Sequence, residues 1–285
     1  MKQIAVISGK GGTGKTVITA SLASLAKNKV MADCDVDAAD LYLLLHPTIK
    51  EAYEFKGGKI AEIEKEKCDE CGECQQVCRF EAIDNFVVDP ISCEGCGVCE
   101  YVCPQKAIKM VERLSGKWFV SETKYGPLVH AKLEVAQENS GKLVTLVRER
   151  AKLIARKEKR DFVIIDGPPG IGCPAIASLS GVDIALIVTE PTLSGIHDLE
   201  RVAGLARHFG IKSLVCINKY DLNLKNTRNI EKLCQVYNIG LVGKMPFDTV
   251  VTKALIAGKP VVEYSDNHIS SQIRNLWENF AKVGK

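Results

Sequence analysis

Apolar positions along the chain fall into short runs separated by amphipathic stretches. Ile4-Ala5-Val6-Ile7, Val30 to Ala32, Phe162-Val163-Ile164-Ile165, Ile184 to Val188 and Leu214 to Ile217 are unbroken apolar runs, as expected of strands buried on both faces. Leu143, Leu146, Val147 and Ile154 share one helix face, and Ile196, Leu199, Val202, Ala203 and Ala206 share another. Thr16 to Lys27 is apolar on nearly every face, which suits a helix enclosed in a larger body. Strands alternating with helices predict an α/β fold, a doubly wound parallel sheet.

The alternation breaks between about Ile49 and Gly126. Within that stretch Cys68, Cys71, Cys74, Cys78, Ala82 and Ile83 recur 25 residues later as Cys93, Cys96, Cys99, Cys103, Ala107 and Ile108. Leu114-Ser115-Gly116-Lys117 reads as a hairpin turn. The expectation is a discontinuous parent domain, residues 1–60 and 113–285, interrupted by an inserted α+β domain over 61–112.

Composition narrows the classes. The 285 residues are 46% hydrophobic and 26% charged, which excludes a disordered or fibrous chain. A net charge of +3 is too small to suggest nucleic acid. The charge is uneven, however: Glu62 to Cys103 carries −8, leaving +11 on the rest. An acidic insert of this kind suits steering of a basic redox partner, and it equally suits solvated loops. Met1-Lys2-Gln3 runs straight into the first strand, and no apolar run approaches the roughly 18 residues of a membrane span. The expectation is a cytoplasmic protein without stable membrane insertion. In such a protein, 12 cysteines point to metal ligation rather than to disulfides.

Gly9-Lys10-Gly11-Gly12-Thr13-Gly14-Lys15-Thr16 satisfies G-x-x-x-x-G-K-[ST] between a predicted strand and a predicted helix. Gly11, Gly12, Thr13 and Gly14 let backbone N–H groups wrap the phosphates of a nucleotide, with the positive helix end behind them. Lys15 is placed to reach the β- and γ-phosphates, and the Thr16 hydroxyl to ligate Mg²⁺.

With its additional lysine, Lys10-Gly11-Gly12-Thr13-Gly14-Lys15-Thr16 resembles the deviant Walker A loop of the MinD/ParA/nitrogenase-iron-protein superfamily. The resemblance covers about residues 1–47 and 127–285. It implies a P-loop ATPase in which Asp35 positions the attacking water and Asp166 acts on Mg²⁺ through water. It also implies base contacts from Asn218 and from Pro246-Phe247-Asp248, and an ATP-dependent homodimer in which Lys10 contacts the partner's nucleotide. Asn218-Lys219-Tyr220-Asp221 matches the N-K-x-D pattern of GTPases as well, which leaves GTP open.

The cysteine repeat has the C-x2-C-x2-C-x3-C spacing of bacterial two-cluster ferredoxins, and its second copy ends in Cys103-Pro104. Three closely spaced thiolates converge on one 4Fe-4S cubane, and the fourth ligates the other cluster. Two clusters follow, one on Cys68, Cys71, Cys74 and Cys103 and one on Cys93, Cys96, Cys99 and Cys78. Structural zinc is the alternative, since C-x2-C pairs also bind zinc.

These readings combine into an ATP- and Mg²⁺-dependent iron–sulfur protein that couples nucleotide state to electron transfer toward a partner metalloprotein. Two alternatives stand beside it: an assembly ATPase that hands metal or clusters to an apo-metalloprotein, and a positioning ATPase with a redox-sensing ferredoxin domain. Cys216 and Cys234 read as packing residues. Cys173, seven residues after Asp166, matches the offset at which nitrogenase iron proteins carry a cluster ligand. The run Arg148, Arg150, Lys152, Arg156, Lys157, Lys159, Arg160 reads as the solvated face of a helix, the tail Ile269, Ile273, Leu276, Trp277, Phe280 as core packing, and His130 as structural.

Overall fold

The computed structural model describes residues 1–134 and 140–283. Its strands are β1 (Lys2–Ser8), β2 (Lys29–Asp33), β3 (Thr48–Ile63), β4 (Ile83–Asp84), β5 (Val87–Val88), β6 (Ile108–Thr123), β7 (Gly126–Leu133), β8 (Phe162–Pro169), β9 (Ile184–Thr189), β10 (Lys212–Asn218) and β11 (Gly240–Met245). Its α-helices are α1 (Lys15–Leu25), α2 (Leu41–Leu45), α3 (Glu73–Val77), α4 (Val98–Val102), α5 (Ser140–Lys157), α6 (Cys173–Leu179), α7 (Leu193–His208), α8 (Leu224–Val236), α9 (Thr249–Ile256), α10 (Val261–Tyr264) and α11 (His268–Val283).

Among the described residues nine strands form one sheet in the order β11-β10-β9-β1-β8-β2-β7-β6-β3. Every neighbouring pair from β11 to β7 is parallel. All the apolar runs expected to be strands lie in this parallel part. β1 alternates between two cores: Ile4 and Val6 pack with Ile18 and Leu22 of α1 and with Ile273 and Leu276 of α11, while Ala5 and Ile7, equally buried, face the other way. That double coverage is why the strand is apolar throughout. β1 sits between β8 and β9, so the chain crosses from one side of β1 to the other. A switch of this kind opens a crevice at the carboxyl ends of the strands.

Two compact units emerge. The first comprises Met1–Tyr53, Trp118–Lys132 and the chain from Ser140 onward; the second is built mainly of Glu54–Lys117. The second unit is wider than the 61–112 suggested by the cysteine repeat, because β3 and β6 run on well beyond the cysteines. The expected turn at Leu114 to Lys117 is absent. Those residues continue β6, and the chain reverses instead at Lys124-Tyr125, where Gly126 takes a φ of +109°. Ser115 is buried within the strand, with Gly57 N donating to its hydroxyl at 3.3 Å.

Within the second unit the 25-residue repeat is a repeat of backbone geometry. Left-handed φ values recur at Glu70 and Gly95, at Gly72 and Gly97, and at Glu81 and Lys106. Gly72 and Gly97 precede α3 and α4 respectively. The small core contains Ala61, Ile83 and Ile108 together with Cys74 and Cys99.

Three further expectations meet the structure. α11 buries Ile269, Ile273, Leu276 and Phe280, so its apolar face is core. Cys216 and Cys234 are buried, and burial pushes their thiols up to about 12 and about 11. The basic run is not uniformly solvated. Arg148 turns inward from α5 and is 5% exposed, because the helix packs against both β2 and α6 and that position faces them.

Candidate functional site

Glycines set the loop after β1. Gly12 and Gly14 adopt φ values of +78° and +90°, and a Cβ at Gly11 or Gly12 would meet open space. The backbone N–H groups are thus accessible to a bulky anion. Gly9 is constrained differently: a Cβ there would fall 2.2 Å from Asp198 Cβ in α7. Gly14 starts α1, whose first residue is Lys15. The buried Thr13 hydroxyl has no protein partner.

Acidic groups from β2, from the segment just after it and from β8 meet this loop. Asp33 and Asp166 are paired across β2 and β8. Lys15 Nζ lies 3.4 Å from Asp35 Oδ2. Thr19 Oγ1 donates to Asp166 Oδ1 at 2.9 Å, and the Thr16 side chain also favours the charged carboxylate. Burial raises the pKa of Asp166 against the opposing pull of Lys15. Burial, followed by the charge of Asp166, pushes Asp33 well above the usual carboxylate range. Asp35 is raised by burial and held down by Lys15. Asp166 Oδ2 is buried without a protein partner. Crowded carboxylates, an unsatisfied oxygen and the adjacent Thr16 are oxygen donors of the kind Mg²⁺ takes, so the residues fit that ion.

The expected base contacts line one cavity of about 240 Å³, where Asn218, Pro246 and Asp248 join Gly12, Gly14 and Ile18. Asn218 Nδ2 donates to Thr13 O at 2.8 Å, which ties the base loop to the phosphate loop. Asp248 caps α9 by accepting from Val250 N at 2.8 Å. Asp221, the last residue of the GTPase-like pattern, accepts from Phe247 N at 2.7 Å. That commits one of its oxygens to the backbone. Another cavity, about 750 Å³, opens at the starts of β10 and β11, the strand ends opposite the phosphate loop, and none of the phosphate-loop residues line it.

The cysteines of the second unit gather in two groups. Cys68, Cys71, Cys74 and Cys103 line one cavity; Cys78, Cys93, Cys96 and Cys99 line another. All eight thiols are free of disulfides. Ala107 N donates to Cys103 Sγ at 3.3 Å. Among the described residues no three His, Cys, Asp or Glu side chains converge as a single-ion site. Thiolates bound to one zinc ion must all lie about 2.3 Å from a common point. Each group brings four thiols, the number of ligands that a four-iron cube takes. Gly95 is obligatory here, because a Cβ would lie 2.2 Å from Lys59 O.

Two contributors were not singled out in the sequence, Asp33 and Thr19. The Asp33-x-Asp35 spacing after a strand was a usable signal for the first; Thr19, one turn beyond Lys15, was not distinguishable from a helical core residue. Cys173 is exposed at the start of α6. His130 is buried, bonded to Ser121 Oγ at 2.9 Å and stacked on Phe119, and burial lowers its pKa to about 4. It is structural. No described helix is long and apolar enough to cross a membrane.

Comparison with known proteins points to a nucleotide-binding domain. Residues 4–261 match the CobQ/CobB/MinD/ParA nucleotide binding domain. An uncharacterized protein of Methanocaldococcus jannaschii is 39% identical over 280 residues, covering 97% of this chain and 95% of the relative. The septum site-determining protein MinD of Bacillus subtilis is 24% identical over 283 residues, covering 96% and 86%. Among solved structures, the cell division ATPase MinD of Pyrococcus furiosus superposes with a TM-score of 0.61 at 20% identity, covering 99% of each chain. MinD of Pyrococcus horikoshii, solved with Mg-ADP, gives 0.60 at 19%, covering 99% and 97%.

Proposed function

This chain belongs to the CobQ/CobB/MinD/ParA nucleotide-binding family as a P-loop ATPase, and from that we propose an ATP-driven positioning switch whose second unit carries two 4Fe-4S clusters and makes the switch redox-responsive. The observation that carries the ATPase half is the meeting of Lys15, at the start of α1, with Asp35, just past β2, and Asp166, within β8. Lys15 and the N–H groups of Gly11 to Gly14 bind and orient the phosphates. Asp35, a residue from the end of β2 and already within reach of Lys15, orients the attacking water. Mg²⁺, held by Thr16 and through water by Asp166, would neutralise charge on the transferring phosphoryl group. Lys10 reaches the nucleotide of a second copy, so that ATP makes a homodimer and hydrolysis releases it.

The clusters would be held by the two crossed cysteine sets and would supply reversible one-electron storage. The relatives named for septum-site determination bring a positioning role forward, ahead of the expected nucleotide-gated electron transfer to a metalloprotein. Electron transfer stays as the second reading on one observation, the gathering of eight thiols around two cavities. Carriage of clusters to an apo-protein is less suited to sets that each include a thiol buried in the core, Cys74 and Cys99.

Anaerobic purification tests the proposal. The protein should hold about eight iron and eight acid-labile sulfides per chain; zinc in their place would reject the cluster half. It should hydrolyse ATP in preference to GTP and form dimers with a non-hydrolysable ATP analogue. A monomer under those conditions would reject the switch.

A further inference from the structure

Lys10 is already engaged within its own chain. Glu190 directly follows β9, and its side chain is 13% exposed. Its Oε2 lies 3.5 Å from Lys10 Nζ, and its Oε1 accepts from Lys219 Nζ at 2.5 Å. Lys10 Nζ also reaches Thr192 Oγ1 and Ser194 Oγ, each at 3.3 Å. The carboxylate therefore joins the phosphate loop to the base loop, since Lys219 follows Asn218, which is itself bonded to Thr13 O.

The anchor is stiff while the lysines are not. Glu190 O accepts from Thr192 N at 2.8 Å. A Cβ at Gly195 would lie 2.3 Å from that same oxygen, so this turn closes only with glycine. Pro191 O accepts from Asn226 Nδ2 of α8 at 3.1 Å. Lys10 and Lys219, by contrast, hang from loops on long, partly exposed stems. A lysine that must serve a second copy has to leave this carboxylate first.

We propose that Glu190 is a positioning residue that latches Lys10 in cis and so sets how readily the ATP-bound chain dimerises. The proposal rests on the reading that Lys10 acts across the dimer. One partly exposed ion pair holds about half of the lysine population; releasing it about doubles the dimer-competent fraction of each chain, and since both chains of a dimer must be competent the Kd falls as the square.

The test is sedimentation velocity of the intact, iron-loaded chain with Mg²⁺ and a non-hydrolysable ATP analogue. Glu190→Gln should lower the dimer Kd about fourfold. Glu190→Asp, which keeps the charge, should stay near the parent, and Lys219→Met should give no gain. Adding Lys10→Ala to Glu190→Gln should erase the gain. An unchanged or weaker dimer in Glu190→Gln overturns the latch. Should that variant fail to fold, Ser194→Ala carries the same question: a gain of about twofold supports the latch and a parental Kd overturns it. Lys10→Ala dimerising like the parent would remove the reading beneath the latch instead, a result separable from the others.

Discussion

The two units hold their chemistry in opposite ways. In the first, Lys15, Asp35 and Asp166 sit at the ends of a sheet whose core is supplied by other residues, among them Ile4, Met31, Ile164 and Leu186. The site can be built before any ligand arrives. In the second, the cysteines are part of the core: Cys74 and Cys99 are buried with Ala61, Ile83 and Ile108, and Cys78, Cys93 and Cys103 pack around them beside Ile63, Val88 and Met110. A core so small stabilises little without a staple, and metal binding there becomes folding free energy. Glycine loops precede a helix in both units; on the proposed reading one set cradles an exchangeable anion and the other wraps a permanent group.

The largest expected effect separates the units outright. Stripping iron with a chelator under reducing conditions should unfold residues 54–117, read as protease cleavage confined to that stretch, while ATP-analogue binding by the first unit persists. Survival of the stretch against protease would mean that its core does not depend on clusters. Next in size, Lys15→Ala should weaken ATP binding or turnover by about 100-fold or more, through loss of charge against the phosphates. Asp35→Ala should keep ATP and lose turnover. Both should retain parental iron, and a joint loss of iron would break the division between units.

A third prediction sharpens the crossed cysteine sets. Cys68→Ala with Cys103→Ala removes two ligands of one group and should leave about four iron per chain. Cys68→Ala with Cys78→Ala damages both groups and should leave fewer. Equal iron in the two variants would contradict the grouping seen around the cavities.

Much of this was legible in the chain because the chemistry demands fixed spacing. The phosphate loop and the cysteine repeat are local, so each could be read without knowing the fold. The extent of β3 and β6 was not legible: Gly116 and Ser115 look like turn chemistry, and only burial of Ser115 against Gly57 keeps the strand straight through them. Arg148 was misplaced for a related reason. Its neighbours in sequence are basic and solvated, and its inward turn is fixed by packing of α5 on β2 and α6. Gly95 takes a left-handed φ that glycine favours, but Glu70 takes the equivalent φ without being glycine. What makes Gly95 special is the Lys59 carbonyl, a tertiary contact no spacing reveals.

The smallest effect concerns the first unit alone. His130 has a folded pKa of about 4 against an unfolded value near 6.5. The unfolded chain therefore binds the proton first as pH falls, and stability drops between those two values. The contribution is complete above about pH 6.5, and about 2 kcal/mol of it should be gone by pH 5. Urea unfolding followed at pH 7 and pH 5 should show this loss in the parent and not in His130→Gln. An equal loss in both would place the titration elsewhere.

Whether the two units work as one device is decided by linkage. If ATP alters the environment of the clusters, reduction must alter ATP affinity by the same free energy. Cluster midpoint potentials should be titrated anaerobically with ADP and then with a non-hydrolysable ATP analogue. The redox-responsive switch predicts a difference of tens of millivolts, where about 59 mV is a tenfold change for one electron. Potentials identical in the two nucleotide states would contradict it.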